Sequence, residues 1–188
     1  GVSAVEAAAR LIVHLTGMRG ARAATPDKAS PFNPPYTTMT VNVAHGGTQL
    51  NIMAGECVFD WDCRVIPGGS PAAILSEFED YARSVEADMR RKASGCRVST
   101  VQMTNAPPLA PLADNPAADL AKSLTGRNAT EVVAFATEAG QFQEAGFSTV
   151  ICGPGSIDQA HQPNEWIAID QIAEATRFLR KLIARMAA

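Results

Sequence analysis

At 188 residues with 46% apolar side chains, the chain has room for one large domain or two small ones, with enough apolar material for a core. A net charge of −3, a pI near 5.6 and the absence of a Lys/Arg cluster interleaved with aromatics argue against nucleic acid as a partner. The apolar runs fall far short of a membrane span, and the chain opens on a helical pattern rather than a basic segment followed by an apolar one, so neither a membrane nor a signal peptide is expected.

Ala4, Val5, Ala8, Leu11, Ile12 and Leu15 recur at spacings of three and four, which predicts a helix over 2–15 with Gly17 as its stop. Residues 18–36 are rich in Pro, Ala and Gly and read as a loop. Thr37 to Ala44 alternates and suits a strand that Gly46-Gly47 breaks, followed by a short extended piece from Gln49 to Met53. Glu56 to Ile66 is a longer strand with Val58, Asp60, Asp62 and Arg64 on one face and Cys57, Phe59, Trp61 and Cys63 on the other. Ser70 is a capping hydroxyl and Pro71 a first-turn proline, so a helix runs from there to about Lys92. Cys96 to Met103 is a further strand.

The Pro-rich stretch 105–111 is the best boundary candidate and divides the chain into residues 1–106 and 107–188. Beyond it, Asn115 to Leu124 predicts a helix, Glu131 to Ala136 a strand, Glu138 to Ala145 a short helix and Ser148 to Cys152 a buried strand. Ile169 to Met186 is a terminal helix with Ile172, Ala175, Phe178, Leu179, Leu182 and Ile183 inward. The first part therefore reads as a ferredoxin-like α+β layer lacking its first strand, and the second as an incomplete α/β unit. A loss before Gly1 accounts for both if the first domain is inserted into the second.

Cys57, Cys63, Cys96 and Cys152 form no CxxC pair, and Cys57 and Cys63 share one strand face about 20 Å apart, too far to bridge. All four are expected to be reduced, mostly buried residues of a cytoplasmic protein.

The residues that suggest chemistry fall in loops. His161 follows an apolar run in a Gly/Pro-rich loop, and Glu165 comes four residues later. Imidazole there fits a metal ligand or general base, with Glu165 orienting it, or else a histidine satisfied by backbone. Gly153-Pro154-Gly155-Ser156 offers backbone N–H groups to a carboxylate, or is an ordinary tight turn. Thr137-Glu138-Ala139-Gly140 is a site loop or a helix start with Thr137 as cap. Asn51 and Arg64 lie thirteen residues apart on neighbouring extended pieces; Arg64 fits a carboxylate clamp, or a surface ion pair with Asp60 or Asp62. His14 reads as a helix histidine.

Taken in order, Pro35-Tyr36-Thr37-Thr38, His45-Gly46-Gly47-Thr48 with Asn51, Asp62-x-Arg64-x-x-Pro67-Gly68, Thr137-Glu138-Ala139-Gly140 and Gly153-Pro154-Gly155-Ser156 with His161, Pro163 and Glu165 resemble the zinc-dependent M20 peptidase family, and within it the acetylornithine deacetylases. The resemblance covers nearly the whole chain. It implies a ferredoxin-like dimerisation lid at 1–106 and the C-terminal segment of a zinc-aminopeptidase-like α/β domain at 107–188. It further implies two Zn²⁺ per site in the intact enzyme, with Co²⁺ or Mn²⁺ as substitutes, and a small N-acyl amino acid as substrate in arginine biosynthesis. His161 takes the place of a ligand of the second zinc and Glu165 supports it. Asn51 and Arg64 fall where lid residues reach substrate, and Glu138, Gly153, Gly155 and Ser156 fall on loops lining the cleft. The family's His-x-Asp, bridging Asp, Glu-Glu pair and lid histidine do not occur here and are expected upstream of Gly1. No catalytic residue is therefore expected within this segment, which is expected to be inactive alone. A succinyl-diaminopimelate desuccinylase or carboxypeptidase of the same family is the alternative; a non-catalytic dimerisation module is the alternative of another class.

Overall fold

A computed structural model describes residues 1–160 and 162–187. The chain divides into two compact units, one of residues 1–108 together with Val133–Ala136, the other of residues 109–132 and 137–188.

The first unit opens with helix α1, Ala4–Ala24, capped by Ser3, whose hydroxyl accepts the N–H of Glu6. Strands β1, Thr38–Gly46, and β2, Cys57–Arg64, form an antiparallel pair with Thr38 opposite Arg64 and Gly46 opposite Cys57. Asn42 is the extra residue of a bulge between Val41 and Val43. Helix α2, Pro71–Arg90, starts as expected, with the Ser70 hydroxyl accepting the N–H of Ala73 and Pro71 in the first turn. Its buried residues Ile74, Phe78, Ala82, Val85 and Met89 repeat every three to four positions. They pack with Ala7, Leu11, Leu15 and Met18 of α1 and Met39 of β1, while Phe59, Trp61 and Cys63 line the sheet side of this core. The two faces assigned to β2 are as expected, since Val58, Asp60, Asp62 and Arg64 are exposed.

Three expectations for this unit are corrected. Gly17 does not stop α1, because Met18 carries the apolar stripe one turn further and is itself buried. Burial there outweighs the roughly 1 kcal/mol helix cost of a glycine. Gln49 to Met53 is a turn rather than an extended piece: Ile52 N–H donates to the Gln49 carbonyl, and the true break in β1 is Gly47, at φ 76°. Cys96 to Met103 is in no ladder. Its alternation survives, with Cys96 and Val98 packed on the core, but the Val98 N–H is taken by the Glu86 carboxylate. Among its described residues the first unit is thus built from one hairpin and two helices, fewer strands than the ferredoxin-like layer expected from the sequence.

The second unit contains α3, Pro116–Thr125, α4, Ala139–Glu144, a 3-10 turn at Ile157–Gln159, and α5, Ile169–Met186. Asn115 caps α3 through its side-chain oxygen, and Gly126 ends it in the left-handed region. Among the described residues the only sheet is the β1–β2 pair, so the strands expected at 131–136 and 148–152 are not formed. The 148–152 segment is instead tied to the start of α3: Asn115 donates to the Thr149 carbonyl, and the Ser148 hydroxyl accepts the Ala117 N–H. Cys152 is exposed, contrary to the buried strand expected there. The inward stripe of α5 is also only partly covered. Ala175, Phe178 and Leu182 are half-buried, whereas Ile183 is 67% exposed. Within this unit α3 is the helix that packs on α5, and its ten residues run about 15 Å against about 27 Å for α5.

Candidate functional site

In the first unit, Arg64 ends β2 at the open end of the hairpin, opposite Thr38. Asn51 sits in the turn that joins β1 to β2, at the other end of the ladder, so the two are not on neighbouring strands. The Arg64 guanidinium is engaged twice. Nε donates to Asp62 Oδ2 at 3.0 Å, and Nη1 donates to the Ala134 carbonyl at 2.9 Å. The ion pair with Asp62 is the surface pairing that alternation along the strand allows. Both partners are more than half exposed, so it contributes little by itself. His14 is the helix histidine expected: its ring stacks on Tyr81 at 4.0 Å and 14°.

In the second unit, Glu138 stands at the N-cap position of α4 with an exposed side chain. Its neighbour Thr137 does the capping, with a hydroxyl that accepts the Ala139 N–H at 3.1 Å. A carboxylate at that position is favoured by the unpaired N–H groups of the first turn.

The Gly-Pro-Gly-Ser loop is built by its neighbours. Gly155 adopts φ 92°, a conformation closed to most side chains. The Gly155 N–H donates to Gln171 Oε1 at 3.3 Å. Ser156 Oγ accepts the Asp158 N–H at 3.3 Å and caps the 3-10 turn. The hydroxyl also lies 3.4 Å from Asp158 Oδ2, to which it donates. Gly153 is exposed. Further on, Glu165 N–H donates to the Gln162 carbonyl at 3.0 Å, closing a turn in which Asn164 takes φ 60°. Asparagine tolerates that region better than most residues. His161 lies outside the described residues. Among those described, no three His, Cys, Asp or Glu side chains come together to hold a metal ion. Zinc takes three or four protein ligands, so these residues do not make a metal site by themselves.

Gln171 has no counterpart in the sequence reading. It is the third residue of α5, behind an alanine cap that makes no side-chain bond. A glutamine at that position usually turns back to the helix start. Here it turns to the loop, and the uncapped Ala168 is the sequence signal that was there to notice.

Residues 1–90 match the M20 family of peptidase dimerisation domains. Over 154 residues the chain is 32% identical to the acetylornithine deacetylase of Myxococcus xanthus, an alignment covering 81% of this chain and 39% of that protein. It is 28% identical over 183 residues to the acetylornithine deacetylase of Photorhabdus laumondii. It is 31% identical over 188 residues to that of Edwardsiella ictaluri; both alignments cover 97% of this chain and 46% of the relative. The chain thus spans less than half the length of the curated relatives it matches. No described helix is long and apolar enough to cross a membrane. The chain belongs to the M20 peptidase family, with that family's dimerisation domain at its first 90 residues.

Proposed function

We propose that this chain is part of a metal-dependent amidohydrolase that removes the N-acetyl group from N-acetylornithine or a similar N-acyl amino acid, a reaction serving arginine biosynthesis in the cytoplasm. The observation that carries the reading is continuity: similarity to acetylornithine deacetylases runs through both compact units and 97% of the chain. A family likeness confined to the dimerisation domain would support only an association module.

In this reading residues 1–90 pair two copies into a homodimer, the association their family match supports. His161 is the metal ligand this chain contributes and Glu165 orients it. The remaining ligands come from other parts of the intact protein, with Zn²⁺ the proposed metal and Co²⁺ or Mn²⁺ as substitutes. Glu138, Gly153, Gly155 and Ser156 line the substrate cleft. Asn51 and Arg64 are the substrate-binding residues that the dimerisation domain supplies. The α-carboxylate is taken by backbone N–H groups of the Gly-Pro-Gly loop, which act as a concave anion cradle.

Acetate release from N-acetylornithine and succinate release from N-succinyl-diaminopimelate should be measured on the intact protein and on the 188-residue chain side by side. Acetate release by the intact protein alone, abolished in His161→Ala, is the expected result. Preference for the succinyl substrate would move the assignment to the desuccinylases. Hydrolysis by the 188-residue chain at normal metal stoichiometry would overturn the division of the site between this chain and the rest of the protein.

A further inference from the structure

We infer that Gln171 is a specificity-determining residue of the Gly-Pro-Gly-Ser loop: its side-chain oxygen occupies the Gly155 N–H that a substrate carboxylate must win. The inference rests on the proposal that this loop receives the α-carboxylate.

The orientation of the Gln171 amide follows from its two partners. Its Oε1 accepts from Gly155 N–H at 3.3 Å, and its Nε2 donates to Glu174 Oε2 at 3.4 Å. A flipped amide would set N–H against N–H and oxygen against carboxylate, so both contacts demand the same orientation. Glutamate, glutamine and glycine therefore form one polar chain, which ends on an exposed backbone donor held at φ 92°. Both bonds are long for their type, and a bond at 3.3 Å between neutral groups is readily exchanged. A carboxylate makes a shorter, charge-assisted bond to the same N–H, so it displaces the amide rather than the reverse. The Ser156 hydroxyl is not exchanged in this way, because Asp158 engages it through both its N–H and its carboxylate. Gln171 thus gives the loop one exchangeable donor and sets a threshold that an uncharged ligand does not pass.

The test follows the Gly155 amide resonance of the ¹⁵N-labelled intact protein, stripped of metal so that the ligand is not hydrolysed, during titration with N-acetylornithine and, separately, with its carboxamide. In the wild type the resonance is expected to move with the carboxylate ligand and not with the carboxamide. Gln171→Leu empties the N–H and is expected to tighten the apparent Kd about three- to tenfold, the difference one modest hydrogen bond makes. Gln171→Glu places a permanent anion there and is expected to weaken it about tenfold or more. Gln171→Asn, which keeps the amide but shortens its reach, is expected to repeat the Leu result, and unchanged resonances along α5 show that neither variant disturbs the helix. If the wild type responds to the carboxylate but all three variants bind within about twofold of it, the role of Gln171 is overturned while the loop assignment stands. If Gly155 answers both ligands alike or neither, the loop assignment fails and this inference with it.

Discussion

Arg64 donates from Nη1 to the backbone carbonyl of Ala134, 70 positions away in sequence, at 2.9 Å. The bond ties the Val133–Ala136 segment, which belongs to the first unit, to the open end of the β1–β2 hairpin. Replacing Arg64 by alanine removes this bond along with the Asp62 pair. Amide exchange at residues 133–136 should then rise about five- to tenfold, the equivalent of one net hydrogen bond. Arg64→Lys should behave almost like alanine, since a point ammonium does not reach both partners as the planar guanidinium does. Peptide-resolved hydrogen exchange reads the effect. Unchanged exchange in Arg64→Ala would mean the segment is held by packing instead.

Two carboxylates of α2 make further ties within the first unit. Glu86 accepts the Val98 N–H at 2.8 Å and pairs with Arg90; the backbone bond, aided by Arg90, holds its carboxyl below the usual range. Asp88 is held low by hydrogen bonds from Arg10 and Arg91. A carboxyl depressed on folding contributes stability that is complete above its unfolded pKa and is lost as pH falls through the folded value. The melting temperature of the chain should therefore stay flat from neutral pH to about pH 5 and decline below the ordinary carboxylate range near 4. Glu86→Gln and Asp88→Asn should each lower the neutral-pH melting temperature and flatten the acid limb. An acid limb as steep in the double variant as in the wild type would exclude these two groups as its source.

The two helical stripes that look alike in sequence should differ in cost. Phe78 of α2 is 2% exposed and packs at 5.2 Å on Trp61. Truncation to alanine should cost about 3–5 kcal/mol. Ile183 lies on the stripe of α5 yet is 67% exposed. Its truncation should cost about 0.5 kcal/mol or less. Urea unfolding followed by Trp61 fluorescence in a Trp166→Phe background reads the first unit, and by Trp166 fluorescence in a Trp61→Phe background the second. Equal losses would mean that the α5 stripe is covered in solution.

Local signals were the legible ones. Ser70-Pro71 and Asn115-Pro116 open helices where the sequence places them, because capping is settled within four residues. The alternation of β2 named its buried face for the same reason. Strand existence at 96–103, 131–136 and 148–152 was not legible, because a ladder needs a partner supplied from elsewhere in the chain. Val98 found Glu86, Ala134 found Arg64 and Thr149 found Asn115, and each satisfied a backbone group outside a sheet. The site loops were visible through their glycines, but their supports were not. For Gln171 the one signal was the uncapped Ala168 three residues before it, and Asp158 carries no residue type or spacing that announces the loop it holds.

The cysteines offer a check on the packing of β2. Cys63 faces the core, and burial, with the nearby Asp62 charge adding to it, pushes its thiol up to about 11. Cys152 is exposed on the 148–152 segment. Alkylation proceeds through the thiolate, and at pH 8 a thiol of pKa near 11 is ionised to only about one part in a thousand. Brief iodoacetamide treatment of the native chain should therefore label Cys152 at least about tenfold faster than Cys63, with 6 M guanidinium erasing the difference. Tandem mass spectrometry, which separates Cys63 from Cys57 within their shared tryptic peptide, measures the ratio. Comparable native rates would mean that the sheet's inner face opens readily, and the core described around Trp61 and Phe78 would have to be revised.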